Sequence, residues 1–343
     1  MDITTIDSNF DTTFECPHDI EWHSIRNAPF STYGVYFSEE EGLYRRMPKN
    51  IADATNEGVS VLSKHTAGGR IRFATNSPYV AVRVEEPFEP PYPHMTIEGK
   101  MGVSLFADKK FVGGIMPSYA QTVEADGARG GSGTLVFDGI KYPYGVAEKT
   151  YQMEIFLPLY SPVSAVYIGV KKDCLLQSAV AYQHTKPVLF YGSSITQGAC
   201  ASKSGDDYVN RLCRALDTDI LNLGFSGNAC GEQVMADYIA AQDASVFVLD
   251  YDHNAPTAEH LRNTHFPLYK TVRKANPTTP IIMMTKPTIE GYQTRANNPA
   301  RRENCLFATA KSIRFSPCRA RKKCIQSLKK YTKKKTPRTT AAW

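Results

Sequence analysis

Val188-Leu189-Phe190-Tyr191-Gly192-Ser193-Ser194-Ile195-Thr196-Gln197-Gly198 sets four consecutive apolar residues directly before a turn of glycine and hydroxyl side chains. A short apolar run without alternation is the pattern of a strand covered on both faces, as in a parallel sheet. The pattern repeats downstream. A helix is predicted near 206–216, with Tyr208, Val209, Leu212, Ala215 and Leu216 on one face. Ile220-Leu221-Asn222-Leu223 reads as the next strand, followed by a helix near 232–241 carrying Val234, Met235, Tyr238 and Ile239. Ser245 to Tyr251 reads as a third strand. A helix near 257–275 places Leu261, His265, Leu268 and Val272 in a stripe, and Pro280 to Met284 begins a fourth strand. Strands alternating with helices predict an α/β domain with a parallel sheet clad on both faces, whose ligands bind at the carboxyl ends of the strands.

Upstream the periodicity is different. Residues 1–180 read as an all-β domain, a sandwich or jelly roll, from many short strands punctuated by Gly and Pro. Alternation marks Arg70-Ile71-Arg72-Phe73 and Val80-Ala81-Val82-Arg83-Val84, and a strand pair is expected in YQMEIFLPL and SAVYIGV. Glu98-Gly99-Lys100-Met101-Gly102 carries hairpin chemistry, and the glycine-rich run from Asp126 to Gly133 reads as a loop. The α/β domain is expected over 186–303, and 304–343 as a basic tail without a strand or helix pattern, in the manner of a disordered or out-of-frame end.

Charge separates the same parts. The net +6 comes from 40 Lys and Arg against 34 Asp and Glu, and residues 303–343 hold twelve of the basic residues and one acid. The remainder is therefore 28 basic and 33 acidic, a balance of −5, which argues against a nucleic-acid-binding body. No apolar run reaches the length of a membrane span and no secretory pattern opens the chain, so a cytoplasmic location is expected. The eight cysteines show no CxxC or metal-ligand spacing and are expected as free thiols, with no metal or cofactor.

Three strand ends carry residues suited to acyl transfer. Ser194 follows the first strand, where a serine hydroxyl becomes a nucleophile if a base takes its proton, although a serine there could instead only cap a helix. Asn222-Leu223-Gly224-Phe225-Ser226-Gly227-Asn228 ends the second strand and Asp250-Tyr251-Asp252-His253-Asn254-Ala255 the third. The Gly227 amide and the Asn254 side chain could both donate to the oxyanion of a tetrahedral intermediate.

These blocks resemble the SGNH (GDSL-like) family of serine esterases. GSSI at 192–195 is similar to the GDSL block with Ser193 in place of aspartate, SGN at 226–228 to the glycine block, and HNA at 253–255 to the asparagine block. GFSGNACGE and LDYDHNAP resemble a bacterial two-domain subgroup whose N-terminal β-domain bears a Gly-x-Asp-Leu-Tyr signature, to which Gly102-Val103-Ser104-Leu105-Phe106 is similar. The resemblance spans residues 20–302. It implies a flavodoxin-like hydrolase domain after the β-domain, with Ser194 as nucleophile and Ser194, Gly227 and Asn254 forming the oxyanion hole. It also implies hydrolysis of small acyl esters or acetylated carbohydrate, with no nucleic-acid or membrane partner.

In that family the base is a histidine in a late Asp-x-x-His block, held by the logic of a Ser-His-Asp triad. Here the last histidine is His265, and the basic tail begins where the block is expected. His253, His260 and His265 are the candidates for a substitute base or for structural roles near the site. Two functions follow from the resemblance: an ester hydrolase, or a catalytically defective relative that binds a carbohydrate or acyl ligand without turnover.

Overall fold

In a computed structural model, residues 17–126, 133–142 and 149–285 are described. Residues 127–132 of the loop expected over 126–133, and the tail over 304–343, lie outside them. The chain forms two compact units that are discontinuous in sequence. Among the described residues, the first comprises 17–45, Lys64–Val180 and Cys200–Gly205; the second comprises Arg46–Ser63, Ala181–Ala199 and 206–285. A division at 180 is therefore crossed twice, because 46–63 belongs with the later chain and 200–205 with the earlier.

The first unit begins with β1 (Ile20–Ser24), β2 (Ser31–Tyr33), β3 (Tyr36–Ser38) and β4 (Leu43–Arg45). After α1 (Lys49–Thr55) and α2 (Glu57–Leu62), which belong to the second unit, come β5 (Arg70–Thr75), β6 (Val80–Pro87), α3 (Ile97–Lys100), β7 (Val103–Ala107) and β8 (Lys110–Ile115). The unit closes with α4 (Tyr119–Asp126), β9 (Thr134–Lys141), β10 (Tyr151–Phe156), β11 (Ala165–Lys171) and β12 (Leu176–Gln177). One antiparallel sheet runs β1-β11-β6-β9 and another β12-β5-β10-β7-β8, with β2 also on β5. Val80, Val82, Val84, Val166 and Ile168 of the first sheet and Ile71, Phe73, Met153, Ile155 and Leu105 of the second share one buried cluster.

Three expectations change here. YQMEIF and AVYIGV are both strands, but β10 pairs with β5 and β7 while β11 pairs with β1 and β6. Alternation shows which face a strand buries and leaves its partner open. The hairpin expected at 98–102 is instead α3, capped by Thr96, whose hydroxyl accepts from the Gly99 amide at 3.0 Å. The actual hairpin is one step later, with Asp108 and Lys109 at φ 47° and 68° between the paired Ala107 and Lys110. Positive φ at both central residues is the two-residue turn that matches strand twist. Finally, the all-β reading of the first 180 residues missed α1, α2 and α4 as well as α3.

The second unit follows the predicted order closely: β13 (His184–Gly192), α5 (Ser194–Gln197), α6 (Tyr208–Leu216), β14 (Thr218–Gly224), α7 (Gln233–Ala240), β15 (Val246–Asp250), α8 (Ala258–Ala275) and β16 (Ile281–Met283). All pairings are parallel, in the order β14-β13-β15-β16. Counted from β13 this is 2-1-3-4, the described part of a doubly wound order whose switch point lies beside the first strand. Its core joins Leu189, Tyr191, Leu223, Phe225, Phe247 and Leu249 to Met235, Ile239, Leu268 and Val272, and takes in Met47, Ala52 and Val59 from the early segment. No described helix is long and apolar enough to cross a membrane.

Helix α8 starts at Thr257, whose hydroxyl accepts from the His260 amide at 3.0 Å. Thr257→Ala is expected to cost the unit about 1 kcal/mol, the usual worth of such a cap. Urea unfolding with an unchanged slope would measure it; a midpoint equal to that of the parent would show that the cap is redundant.

Candidate active site

The carboxyl ends of β13, β14 and β15 are tied to one another by main-chain and side-chain bonds. The Phe225 amide donates to the Gly192 carbonyl at 2.8 Å, and the Ser193 amide to the Asp250 carbonyl at 3.2 Å. Parallel register places Gly192 opposite both Gly224 and Asp250. The three segments named from sequence therefore leave the sheet side by side.

Ser194 opens α5 and is half-buried. The capping role weighed for it belongs to Ser193, whose fully buried hydroxyl accepts from the Ile195 amide at 3.3 Å. Serine at 193 thus performs the helix-capping task open to an aspartate. Glycine at 192 and 224 is required for packing rather than for substrate approach. A Cβ on Gly192 would overlap the Thr196 hydroxyl, and one on Gly224 would overlap the Gln197 amide nitrogen. This contact seats α5 directly on the end of β14.

Gly227 lies in the turn after β14 at φ 71°, exposed, with open space where a Cβ would stand. The turn is closed by the Asn228 and Ala229 amides, which donate to the Phe225 carbonyl at 3.0 and 3.2 Å. The Ser226 amide donates to Gln197 Oε1 at 3.0 Å, so α5 grips the turn as well. Asn254 ends a single 3-10 turn, Asp252–Asn254, and its Nδ2 donates to the Phe225 carbonyl at 3.0 Å. The Asn254 side chain thus reaches from the end of β15 to the Gly227 turn. The Cys230 thiol lies 4.0 Å from the carbonyl oxygens of both Gly227 and Asn254.

The histidines have distinct surroundings. His260 Nε2 donates to the Cys230 carbonyl at 2.8 Å. The His265 ring stacks on Tyr251 at 5.5 Å, and burial holds its pKa below the usual histidine range, against the pull of Asp252. His253 sits half-buried in the 3-10 turn, one residue before Asn254.

Several residues of this region escaped the sequence reading. Asp250 is 4% exposed, and its Oδ2 accepts from the Tyr208 hydroxyl at 3.0 Å and from the Thr196 hydroxyl at 3.2 Å. It thereby holds α5 from beneath. Burial, with the charge of Asp252, pushes its carboxyl up to about 7 despite those two donors. Glu232 accepts from Asn56 Nδ2 at 2.6 Å and, through its other oxygen, from the Tyr191 hydroxyl and the Cys230 amide at 3.3 Å each. A single acid or amide in a strand or loop gives no sequence signal of this kind. Only the position of Asp250 as the last residue of an apolar strand hinted at a buried carboxylate.

Comparison with known families agrees with both units. Residues 185–312 match the GDSL-like Lipase/Acylhydrolase family, and residues 20–176 match the family described as the N-terminus of Esterase_SGNH_hydro-type. Among solved structures, a GDSL-like lipase from Bacteroides ovatus is similar with a TM-score of 0.70 at 22% identity, over 91% of this chain and 84% of that one. The salicylyl-acyltransferase SsfX3 of a tetracycline biosynthetic pathway is similar with a TM-score of 0.59 at 18% identity, over 78% and 72%. An active site mutant of a family two carbohydrate esterase from Clostridium thermocellum gives 0.50 at 12%, over 81% and 84%. At such identities the likeness establishes the fold. No curated protein matches the chain in sequence.

Proposed function

The chain belongs to the SGNH (GDSL-like) hydrolase family, and on that premise we propose that it is a serine ester hydrolase of slow turnover, acting on small acyl esters, with acetylated carbohydrate as the substrate class. Ser194 Oγ is the nucleophile. The Ser194 and Gly227 amides and the Asn254 side chain receive the oxyanion. The observation that carries this reading is the linkage of the three strand ends through the Phe225 carbonyl and amide, which brings the Asn254 side chain to the turn that bears Gly227. A carboxamide has two N–H donors, so the bond to Phe225 leaves one for the oxyanion. The carbohydrate class rests on the carbohydrate esterase among the similar folds. The two antiparallel sheets of the first unit are read as a sandwich, the domain that precedes the hydrolase domain in this subgroup.

A second reading is favoured by the histidines. With His260 bonded to a carbonyl and His265 stacked and shifted toward the neutral form, the chain acts as a binder of acyl or sugar ligands with little turnover. One experiment tests the site under either reading. An alkyl fluorophosphonate should phosphonylate Ser194: the serine oxygen bonds to phosphorus, fluoride leaves and the hydroxyl proton passes to solvent. Peptide mass spectrometry should find the adduct on Ser194 and none in Ser194→Ala. Modification at another residue, or none after prolonged exposure, would overturn the assignment.

A further inference from the structure

Residues 46–63 lie far from the strand ends in sequence, yet Arg46 and Asn56 bond on either side of the turn that bears Gly227. Arg46 is 2% exposed. Its Nη1 donates to the Asn222 carbonyl at 2.9 Å and to the Gly224 carbonyl at 2.7 Å, and its Nη2 to the Leu62 carbonyl at 2.6 Å. The guanidinium also lies over the Phe225 ring, 4.6 Å from its centroid. One cation thus binds both the last carbonyls of β14 and the ring of the first residue beyond it. Asn56 grips the far side of the same turn. Its Nδ2 donates to the Asn228 carbonyl at 3.0 Å and to Glu232 Oε1 at 2.6 Å, while its Oδ1 caps α2 through the Val59 amide at 2.8 Å. Between these two points the Asn228 side chain fills the space beside Gly58, where a Cβ would overlap it, and Nδ2 of Asn228 donates to the Ser226 carbonyl at 2.7 Å.

A positive-φ glycine with open space around it has little of its own to hold it in place. The turn is kept in position by its flanks, and Arg46 and Asn56 hold both. We propose that Arg46 and Asn56 are positioning residues for the turn 225–228, aiming the Gly227 N–H at the site where the acyl oxyanion forms. This rests on the reading of Gly227 as an oxyanion donor. A planar fork reaching three carbonyls is a task for arginine that lysine, a point charge on a flexible stem, does not reproduce.

Two substitutions test it. Arg46→Lys keeps the charge and loses the fork. Asn56→Asp keeps the cap of α2, loses both Nδ2 bonds and sets a carboxylate against Glu232. Lys49→Ala, on the same segment at an exposed i,i+4 pair with Asp53, is the control. Amide hydrogen exchange should quicken at Asn228 and Ala229 by roughly tenfold or more, the size expected for losing a charge-assisted hydrogen bond. Exchange over 188–192 and 246–250 should stay within about twofold, as expected for a local opening. With the fluorophosphonate, the limiting rate of Ser194 modification should fall on the order of 10–100-fold while the half-saturating concentration stays near its parent value, since a misaimed donor is felt in the transition state. The proposal is overturned if exchange is unchanged or rises equally across the sheet, or if the turn loosens and the limiting rate does not fall. If the parent chain gains no adduct on Ser194, the active-site reading fails. The exchange pattern then decides the clamp alone: acceleration confined to 225–229 upholds it and uniform acceleration overturns it.

Discussion

The 343-residue chain is expected to hydrolyse an activated acetyl ester far more slowly than about 1 per second, an ordinary enzyme rate, with Ser194→Ala lowering that rate by less than about tenfold. Serine and its base act as a unit, so once one is absent, removing the other costs little more. Donors and binding alone retain an acceleration over water of roughly 10³–10⁴. His260 and His265 each have engagements of their own. His260 donates through Nε2 to the Cys230 carbonyl, and His265 lies stacked on Tyr251 with its pKa lowered by burial. Added imidazole should raise hydrolysis by the parent chain above its effect on Ser194→Ala, by supplying a base from solution. Parent turnover near or above about 1 per second, abolished by Ser194→Ala, would refute the expectation and assign a base within the chain. His253→Gln would then be the first substitution to make, since His253 stands beside Asn254 on the same 3-10 turn.

The second large effect is on stability. Asp250→Asn should gain about 2–3 kcal/mol on the parent between pH 5 and pH 8. In the folded chain burial raises the Asp250 carboxyl to about 7 from an ordinary value of 3.8. Between those values an unfolded chain releases the proton while the folded chain keeps it, so stability is lost as pH rises through the window and the loss levels off above about 7. Asparagine has the same shape and no charge. With its carboxamide oxygen in the place of Oδ2, which both hydroxyls reach in the parent, it can accept from Tyr208 and Thr196 alike. Asp207, buried and raised to about 6, contributes a loss of the same sign, so the variant should retain some slope. Urea unfolding at the two pH values gives the result. Equal destabilisation of Asp250→Asn at both would show that the carboxylate is ionised in the folded chain and held by its two donors.

Much of the second unit was legible because one physical rule governs it. A strand buried on both faces is apolar throughout, and a helix packed on it shows a stripe. The strands at 188, 220, 245 and 281 and the helices at 208, 233 and 258 accordingly appear where those patterns do. In the first unit the same approach placed strands but not partners. Tyr151–Phe156 and Ala165–Lys171 alternate equally well and lie in different sheets. Arg70 and Arg72 look like the solvent face of a strand, yet both are buried. Gly99 and Gly102 suggested a turn, whereas Gly99 sits in α3 where a Cβ would overlap the Ala201 carbonyl oxygen. A glycine permits a tight turn and a tight contact alike, and only its neighbours in space distinguish the two.

The sequence by itself determined that Ser194, Gly227 and Asn254 come after three strands of one parallel sheet, because local periodicity dictates the strands and chain order sets the residues at the end of each. The tertiary structure decided what holds those residues. Arg46 meets Asn222 across 176 residues of sequence, Asn56 meets Asn228 and Glu232, and Asp250 gathers the hydroxyls of Thr196 and Tyr208. Arg46 and Asp250 are withdrawn from water and Asn56 is half-buried, and burial makes a hydrogen-bonded partner obligatory. Which partner it finds depends on which segments pack together, and residues distant along the chain leave no periodic trace of that.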